Sequence, residues 1–220
     1  TLSSDTEIKT SGTVNLAGTF TTADLTVTNG AATLNGTFSS DSLSFTKAVT
    51  LAGNTTITSS AASETVHFAD AITGASNSLT INTGATQFDG AVSGLSSLST
   101  DAATINCASI TSSGIQTYND AITISQNTIL SASEIDFLAT IGSSNKLTVN
   151  APVFKSAASA DNTITLSEIE FAADTSIQTN TKKLTFDVTT ISGTGKTISL
   201  SSGSKADLKA GSIVSPAVSN

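Results

Sequence analysis

The chain has 220 residues, of which 38% are hydrophobic, enough for a sizeable continuous core, so it is expected to fold. Nine lysines and no arginine stand against 17 acids, a formal net charge of -8, and without clustered cations nucleic acid and anionic membrane surfaces are disfavoured as partners. The absence of arginine also removes the bidentate clamp that enzymes use on carboxylates and phosphates, which disfavours sugar acids and nucleotides as substrates.

Only 12% of residues are charged, and Thr, Ser, Asn, Ala and Gly fill the balance, so the surface is expected to be rich in hydroxyls. One cysteine, Cys107, excludes an internal disulfide framework, and its shared strand parity with Ile105 predicts a buried thiol. No apolar run approaches the ~20 residues of a membrane span, so no membrane insertion is expected. The sequence opens at Thr1 without a basic leader and contains no Met; it reads as one domain over residues 1-220, a processed mature chain or a segment of a longer protein.

Sustained helical periodicity is absent, and short apolar-x-apolar units dominate. In chain order they include Leu25-Thr-Val27, Leu43-Ser-Phe45, Val49-Thr-Leu51, Val66-His-Phe68, Leu79-Thr-Ile81, Ile122-Thr-Ile124, Ile135-Asp-Phe137, Leu147-Thr-Val149, Ile164-Thr-Leu166, Ile169-Glu-Phe171, Leu184-Thr-Phe186 and Ile198-Ser-Leu200. Each offers one face to a core and one to water. Turn formers such as Asn29-Gly30, Asn35-Gly36 and Asp89-Gly90 separate them. Strands this short cannot each bury a face alone, so they must stack.

Internal repeats predict how. Leu16, Gly18, Phe20 and Leu25 recur at one constant spacing as Leu34, Gly36, Phe38 and Leu43, with a looser copy starting at Leu51-Ala-Gly53. An aromatic-x-x-Ala-(Val/Ile)-(Thr/Ser) motif begins at Phe45, Phe68, Phe88 and Tyr118, its small Ala suited to a tight corner. A third series sets Phe137, Phe154 and Phe171 at equal intervals and predicts a stacked ladder of equivalent positions, with Ile135 and Ile169 on the same inward parity. A period of roughly 20 that varies by insertion is the mark of a solenoid. The expected fold is all-β: a single-stranded right-handed parallel β-helix of about 10 to 12 rungs, on the order of 50 Å long. Only two prolines, Pro152 and Pro216, fit a ladder that needs a donor from every rung.

The stretches Leu95-Ser-Ser-Leu-Ser-Thr-Asp-Ala-Ala-Thr-Ile105 and Ser112-Ser-Gly-Ile-Gln-Thr-Tyr-Asn-Asp-Ala-Ile-Thr-Ile124 resemble the repeat regions of large secreted bacterial adhesins, of the filamentous-haemagglutinin and autotransporter-passenger type. The resemblance covers residues 79-124. It implies a right-handed β-helix displayed outside a bacterial cell; the secretion-signal and membrane-pore domains of that family are not seen in these residues.

For chemistry, the only histidine is His67, turned outward if Val66 and Phe68 face the core. No motif supplies the positioned serine and acid that a triad needs, and no G-x-S-x-G, H-E-x-x-H, P-loop or G-x-G-x-x-G pattern occurs. No catalytic, cofactor-binding or metal-ligating residue is therefore assigned. Glu134 and Asp136 share an outward face, as do Glu168 and Glu170, and the interval from Glu134 to Glu168 equals that from Phe137 to Phe171, which reads as two rungs. Such a stripe could hold Ca²⁺ or hydrolyse glycosides, but with Lys155 on the intervening rung a solvated, charge-balanced face is the preferred reading.

Thr-x-Thr units such as Thr26-Val-Thr28 and Thr56-Ile-Thr58, with Thr104 before Ile105, raise ice binding as an alternative, although they look scattered and the rung lengths vary. The favoured function is a non-enzymatic extracellular structural and adhesive module, at the bacterial cell surface by resemblance. Its expected partners are like subunits through end or edge strands, or cell-surface glycans. A polysaccharide-acting enzyme on the same fold is the other alternative.

Overall fold

A computed structural model describes residues 4-59, 64-180 and 182-219, with side chains described as far as 214. Among these residues there is no helix. All 23 strands belong to one sheet in which every pairing is parallel. Through the middle of the chain each strand pairs with the third strand before it and the third after it, so one turn consists of three strands. The result is a three-sided β-solenoid of about 11 turns.

The first side starts with Thr6–Lys9, the second with residues 14-16 and the third with 18-22; the path then returns to the first side at 24-28. Each side is a ladder of register partners. On the first, Val27 pairs with Phe45, Phe45 with Phe68, Phe68 with Phe88, Phe88 with Ile105 and Ile105 with Ile124. On the second, Val49, Ile72, Val92, Ile110, Leu130, Val149 and Phe171 follow one another. All of these side chains are buried. Alternate residues point inward because the strand period is two, and the next turn ~4.8 Å along the axis sets an equivalent side chain on top.

The first internal repeat lies in register: Leu16 with Leu34, Gly18 with Gly36, Phe20 with Phe38 and Leu25 with Leu43. The looser third copy holds at Leu51 opposite Leu34, but two extra residues then bring Thr55, not Gly53, opposite Gly36. Gly36, at a φ of 125°, needs its missing side chain, since a Cβ there would lie 2.2 Å from the carbonyl oxygen of Gly18. Gly90 is confined in the same way by the backbone of Asp70, 2.1 Å from where its Cβ would fall.

The alanines of the aromatic motif occupy corners, as expected. The carbonyls of Ala48, Ala71 and Ala91 accept the backbone N–H groups of Ala32, Val49 and Ile72 one turn away, so each corner continues the ladder. Pro152 also sits at a corner, where its carbonyl accepts the N–H of Ser176.

Two expectations about equivalence need correction. Tyr118 does not extend the Phe45, Phe68, Phe88 column. It lies on the third side, opposite Thr100 and Phe137, and its motif turns the corner from third side to first, whereas the other three turn from first to second. The longer step from Phe88 to Tyr118 is one turn plus two sides. Nor are Phe137, Phe154 and Phe171 equivalent positions: Phe154 pairs with Ile135 and Phe171 with Val149. One turn here carries the chain from Gln116 to Ile135, from Ile141 to Ile164 or from Val153 to Ser176. Each of these steps is longer than the interval between the phenylalanines, so that interval cannot return to the same place.

The rings nevertheless meet. Phe154 packs at 5.4 Å from Phe137, 6.1 Å from Phe171 and 5.9 Å from Phe186, and these last three rings come from the third, second and first sides, respectively. Aromatic side chains thus fill the interior by tilted and edge-on contacts there. At the other end, Phe45, Phe68 and Phe88 stack at 5.5 and 5.7 Å with near-parallel planes. Phe68 has a ring on both faces, so Phe68→Ala should cost about 3–5 kcal/mol and lower the urea midpoint accordingly. An unchanged midpoint would show that the stack contributes nothing to stability.

Candidate functional site

Outward positions form columns just as inward ones do. The first-side column runs Glu7, Thr26, Ser44, His67, Gln87, Thr104, Thr123, Gly142, Thr165, Asp187 and Lys209, one residue per turn. Strand pairing therefore decides which polar groups meet, and it brings together residues far apart in sequence.

His67 faces outward between buried Val66 and Phe68. Its Nε2 lies 2.7 Å from Oδ2 of Asp89, a partner that nothing in the local sequence points to, because it stands just past the strand of the next turn. Gln87 and Asn106 donate to the same carboxylate at 2.9 and 3.1 Å. Burial pulls the Asp89 carboxyl upward, but the hydrogen bonds from Gln87, His67 and Asn106, together with the His67 charge, outweigh it and hold the group below its usual range. Ser44 stands one turn from His67 in the column yet makes no hydrogen bond to it. The cluster has a base and an acid, and its visible work is to tie three turns together.

The four acids singled out from the sequence do not form one stripe. Glu134 and Asp136 lie on the third side, opposite Val153 and Lys155, whereas Glu168 and Glu170 lie on the second, opposite Lys146 and Thr148. The reason is again turn length, because two turns on from Glu134 the third side has reached Ser176, well past Glu168. Each pair closes on its own lysine. Lys155 reaches Glu134 at 3.3 Å and Asp136 at 3.6 Å, and Asp136, buried, also accepts the backbone N–H of Ala157. Lys146 reaches Glu168 at 3.2 Å and Glu170 at 2.8 Å. Lys155 thus balances the first pair, as the sequence suggests, and Lys146 does the same for the second. No group of three or more His, Cys, Asp or Glu able to hold a metal occurs among the described residues.

The third side carries a pattern that the sequence conceals. Its outward column is Thr19, Thr37, Thr56, Thr80, Ser99 and Thr117, beside a shorter one of Thr21, Ser39, Thr58 and Asn82. Thr26 and Thr104 lie on the first side instead. The Thr-x-Thr units thus fall on two sides, as their scatter in the sequence suggests, but the third side sets hydroxyls in register over several turns. The hydroxyls of Thr19, Thr37, Thr56, Thr80 and Thr117 have no hydrogen-bond partner among the described residues.

Cys107 is buried, as expected, with its thiol 3.6 Å from the carbonyl of Ser109 and pushed up to about 11 by burial. Gln116, also fully buried, donates to the carbonyls of Ile110 and Ser131 and accepts from the Tyr118 hydroxyl at 3.0 Å, so the interior polar groups satisfy one another. No helix of the described residues is long and apolar enough to cross a membrane. Fold and surface together define a three-sided parallel β-solenoid with polar ladders on its sides. Compared with protein families, curated proteins and solved structures, the chain finds no significant match in any of the three.

The hydrogen bond from Lys146 holds the Glu170 carboxyl below its usual range, against the opposite pull of burial and with help from Thr148. A carboxyl lowered in the folded state adds stability above its unfolded value, and that stability is lost as pH falls through the folded value. Lys146→Met should return the Glu170 titration, followed by NMR, to the usual carboxylate range. Both groups are about a third exposed, so the stability cost at neutral pH should be only about 0–1 kcal/mol. A Glu170 titration unmoved by the substitution would show that the ion pair is not formed in solution.

Proposed function

We propose that this chain is an extracellular structural and adhesive module: a stiff rod that presents rows of hydroxyl and amide groups to a neutral, hydroxyl-rich ligand such as a cell-surface glycan. The observation that supports this most is the third-side ladder, in which threonine hydroxyls stand one per turn with no partner among the described residues. Backbone pairing fixes the spacing of the threonines and β-branching restricts their rotamers, so little side-chain entropy is lost on contact and many weak hydrogen bonds can act together. The charged clusters are closed by their own counter-ions, which favours a neutral ligand over a charged one. About 11 turns at ~4.8 Å give a rod of about 50 Å. Placement at a bacterial surface follows from the adhesin-like repeats at 79-124.

The test is binding to a glycan array and to whole bacterial and host cells. Retention should fall at least several-fold when Thr37, Thr56 and Thr80 are all replaced by Val, which removes hydroxyls and keeps side-chain shape. Failure to bind any surface, or binding untouched by the triple substitution, would contradict this reading.

A second reading, binding to ice, draws on the same ladder. Its hydroxyls repeat at ~4.8 Å along the axis and ~6.7 Å along the strand, a regular spacing that could order water. Thermal hysteresis lost in the Thr37, Thr56, Thr80 valine variant would favour ice; its absence in the unsubstituted chain would remove that reading.

A further inference from the structure

The hydrogen bonds around Asp89 leave a second set of polar atoms unused. Asp89 takes His67 from the turn before at 2.7 Å, Gln87 of its own turn at 2.9 and 3.0 Å, and Asn106 from the turn after at 3.1 Å. A carboxylate only accepts, so in the neutral ring of His67 the proton sits on Nε2 and Nδ1 carries a free lone pair. Each amide likewise gives an N–H to Asp89 and keeps its oxygen as an acceptor, Oε1 in Gln87 and Oδ1 in Asn106. None of these acceptors has a hydrogen-bond partner among the described residues. Asn106 is exposed, and no buried polar side-chain atom there lacks a partner, so all of them open to solvent.

Pinning by Asp89 also orders these side chains before any ligand arrives. A glutamine or asparagine normally gives up rotamer freedom on binding; here that loss has already been taken in folding, so contact with a ligand costs less. Backbone register supplies the rest of the order. His67 and Gln87 follow one another in the outward first-side column, with Ser44 one turn before and Thr104 one turn after. The hydroxyls of Ser44 and Thr104 have no partner among the described residues either. The patch therefore runs about 14 Å along the axis at the ~4.8 Å strand spacing. Its strands are paired on both edges, so it is complete within the body of the solenoid.

The chemistry on offer selects the ligand. The oxygens of Asp89 are occupied by its own donors, so a cation meets no free carboxylate, while the negative charge of that group turns anions away. What remains are neutral acceptors flanked by hydroxyls, a match for groups that both donate and accept, as the hydroxyls of an uncharged sugar do.

We infer that this patch is a binding subsite for a short stretch of a neutral glycan, in which Nδ1 of His67, Oε1 of Gln87 and Oδ1 of Asn106 accept sugar hydroxyl protons while Asp89 holds all three side chains in place. The inference rests on the adhesive reading above and adds to it a second contact, on the first side.

Affinity gel electrophoresis of the full chain in dextran, mannan and laminarin, with polygalacturonate as the charged comparison, tests this. Migration should be retarded by at least one of the neutral polysaccharides and not by polygalacturonate. Gln87→Ala combined with Asn106→Ala should weaken that retention roughly tenfold, and Asn106→Ala alone roughly threefold, as expected for the loss of neutral hydrogen bonds. Circular dichroism checks folding, and Asn106→Ala, at an exposed position, keeps the test open if the double variant does not fold. Retention untouched by either variant, stronger retardation in polygalacturonate, or none in any neutral polysaccharide would overturn the inference. The Thr37, Thr56, Thr80 valine variant run in the same gels separates the two sites. Retention lost there but kept in the Asn106 variant removes the first-side subsite alone, and the reverse pattern removes the third-side ladder alone.

Discussion

The structure depends on one constraint: the strand backbone of each turn pairs with the turns next to it, in parallel register. That ladder stacks like side chains on like positions, which is why Phe45, Phe68 and Phe88 stand over one another and why Thr37, Thr56 and Thr80 do the same on the outside. It leaves no room for a side chain where corners approach closely, as at Gly36 and Gly90. It also accounts for the polar residues inside: Gln116 and Tyr118 are tolerated because each completes the other's hydrogen bonding.

The corners are where the chain takes up differences in length. A short turn from Phe88 to Ile105 coexists with longer ones from Phe45 to Phe68 and from Val153 to Ser176, because extra residues leave the ladder mostly between sides, with one bulge inside the second side between Val92 and Leu95. Most of each side stays in register while the sequence period drifts. A surface lattice can therefore persist over many turns in a chain whose repeats look irregular, and the threonine columns are its clearest expression.

The same separation explains what can be read from the sequence. Alternation of apolar residues identifies the strands, and the copy from Leu16 to Leu34 identifies the stacking, because no insertion falls between them. Tyr118 defeats the motif because first-to-second and third-to-first corners use the same aromatic-x-x-Ala grammar, which marks a corner without saying which one. Equal spacing alone puts Phe137, Phe154 and Phe171 in one column, and turns longer than that spacing send them to different columns whose rings still meet in the interior. The candidate site is the least legible part. Asp89, Lys146 and the threonine ladder acquire meaning only through partners one or more turns away, and those partners depend on corner lengths that residue types do not encode.

The central claim is that the outward columns are true one-per-turn ladders despite these insertions. The most direct measurement is the distance between spin labels placed at Thr26 and Thr165, seven turns apart on the first side. A narrow distribution centred at about 34 Å is expected from the ~4.8 Å strand spacing. A distance off by more than about one strand spacing, or a broad distribution, would contradict the register on which these columns rest.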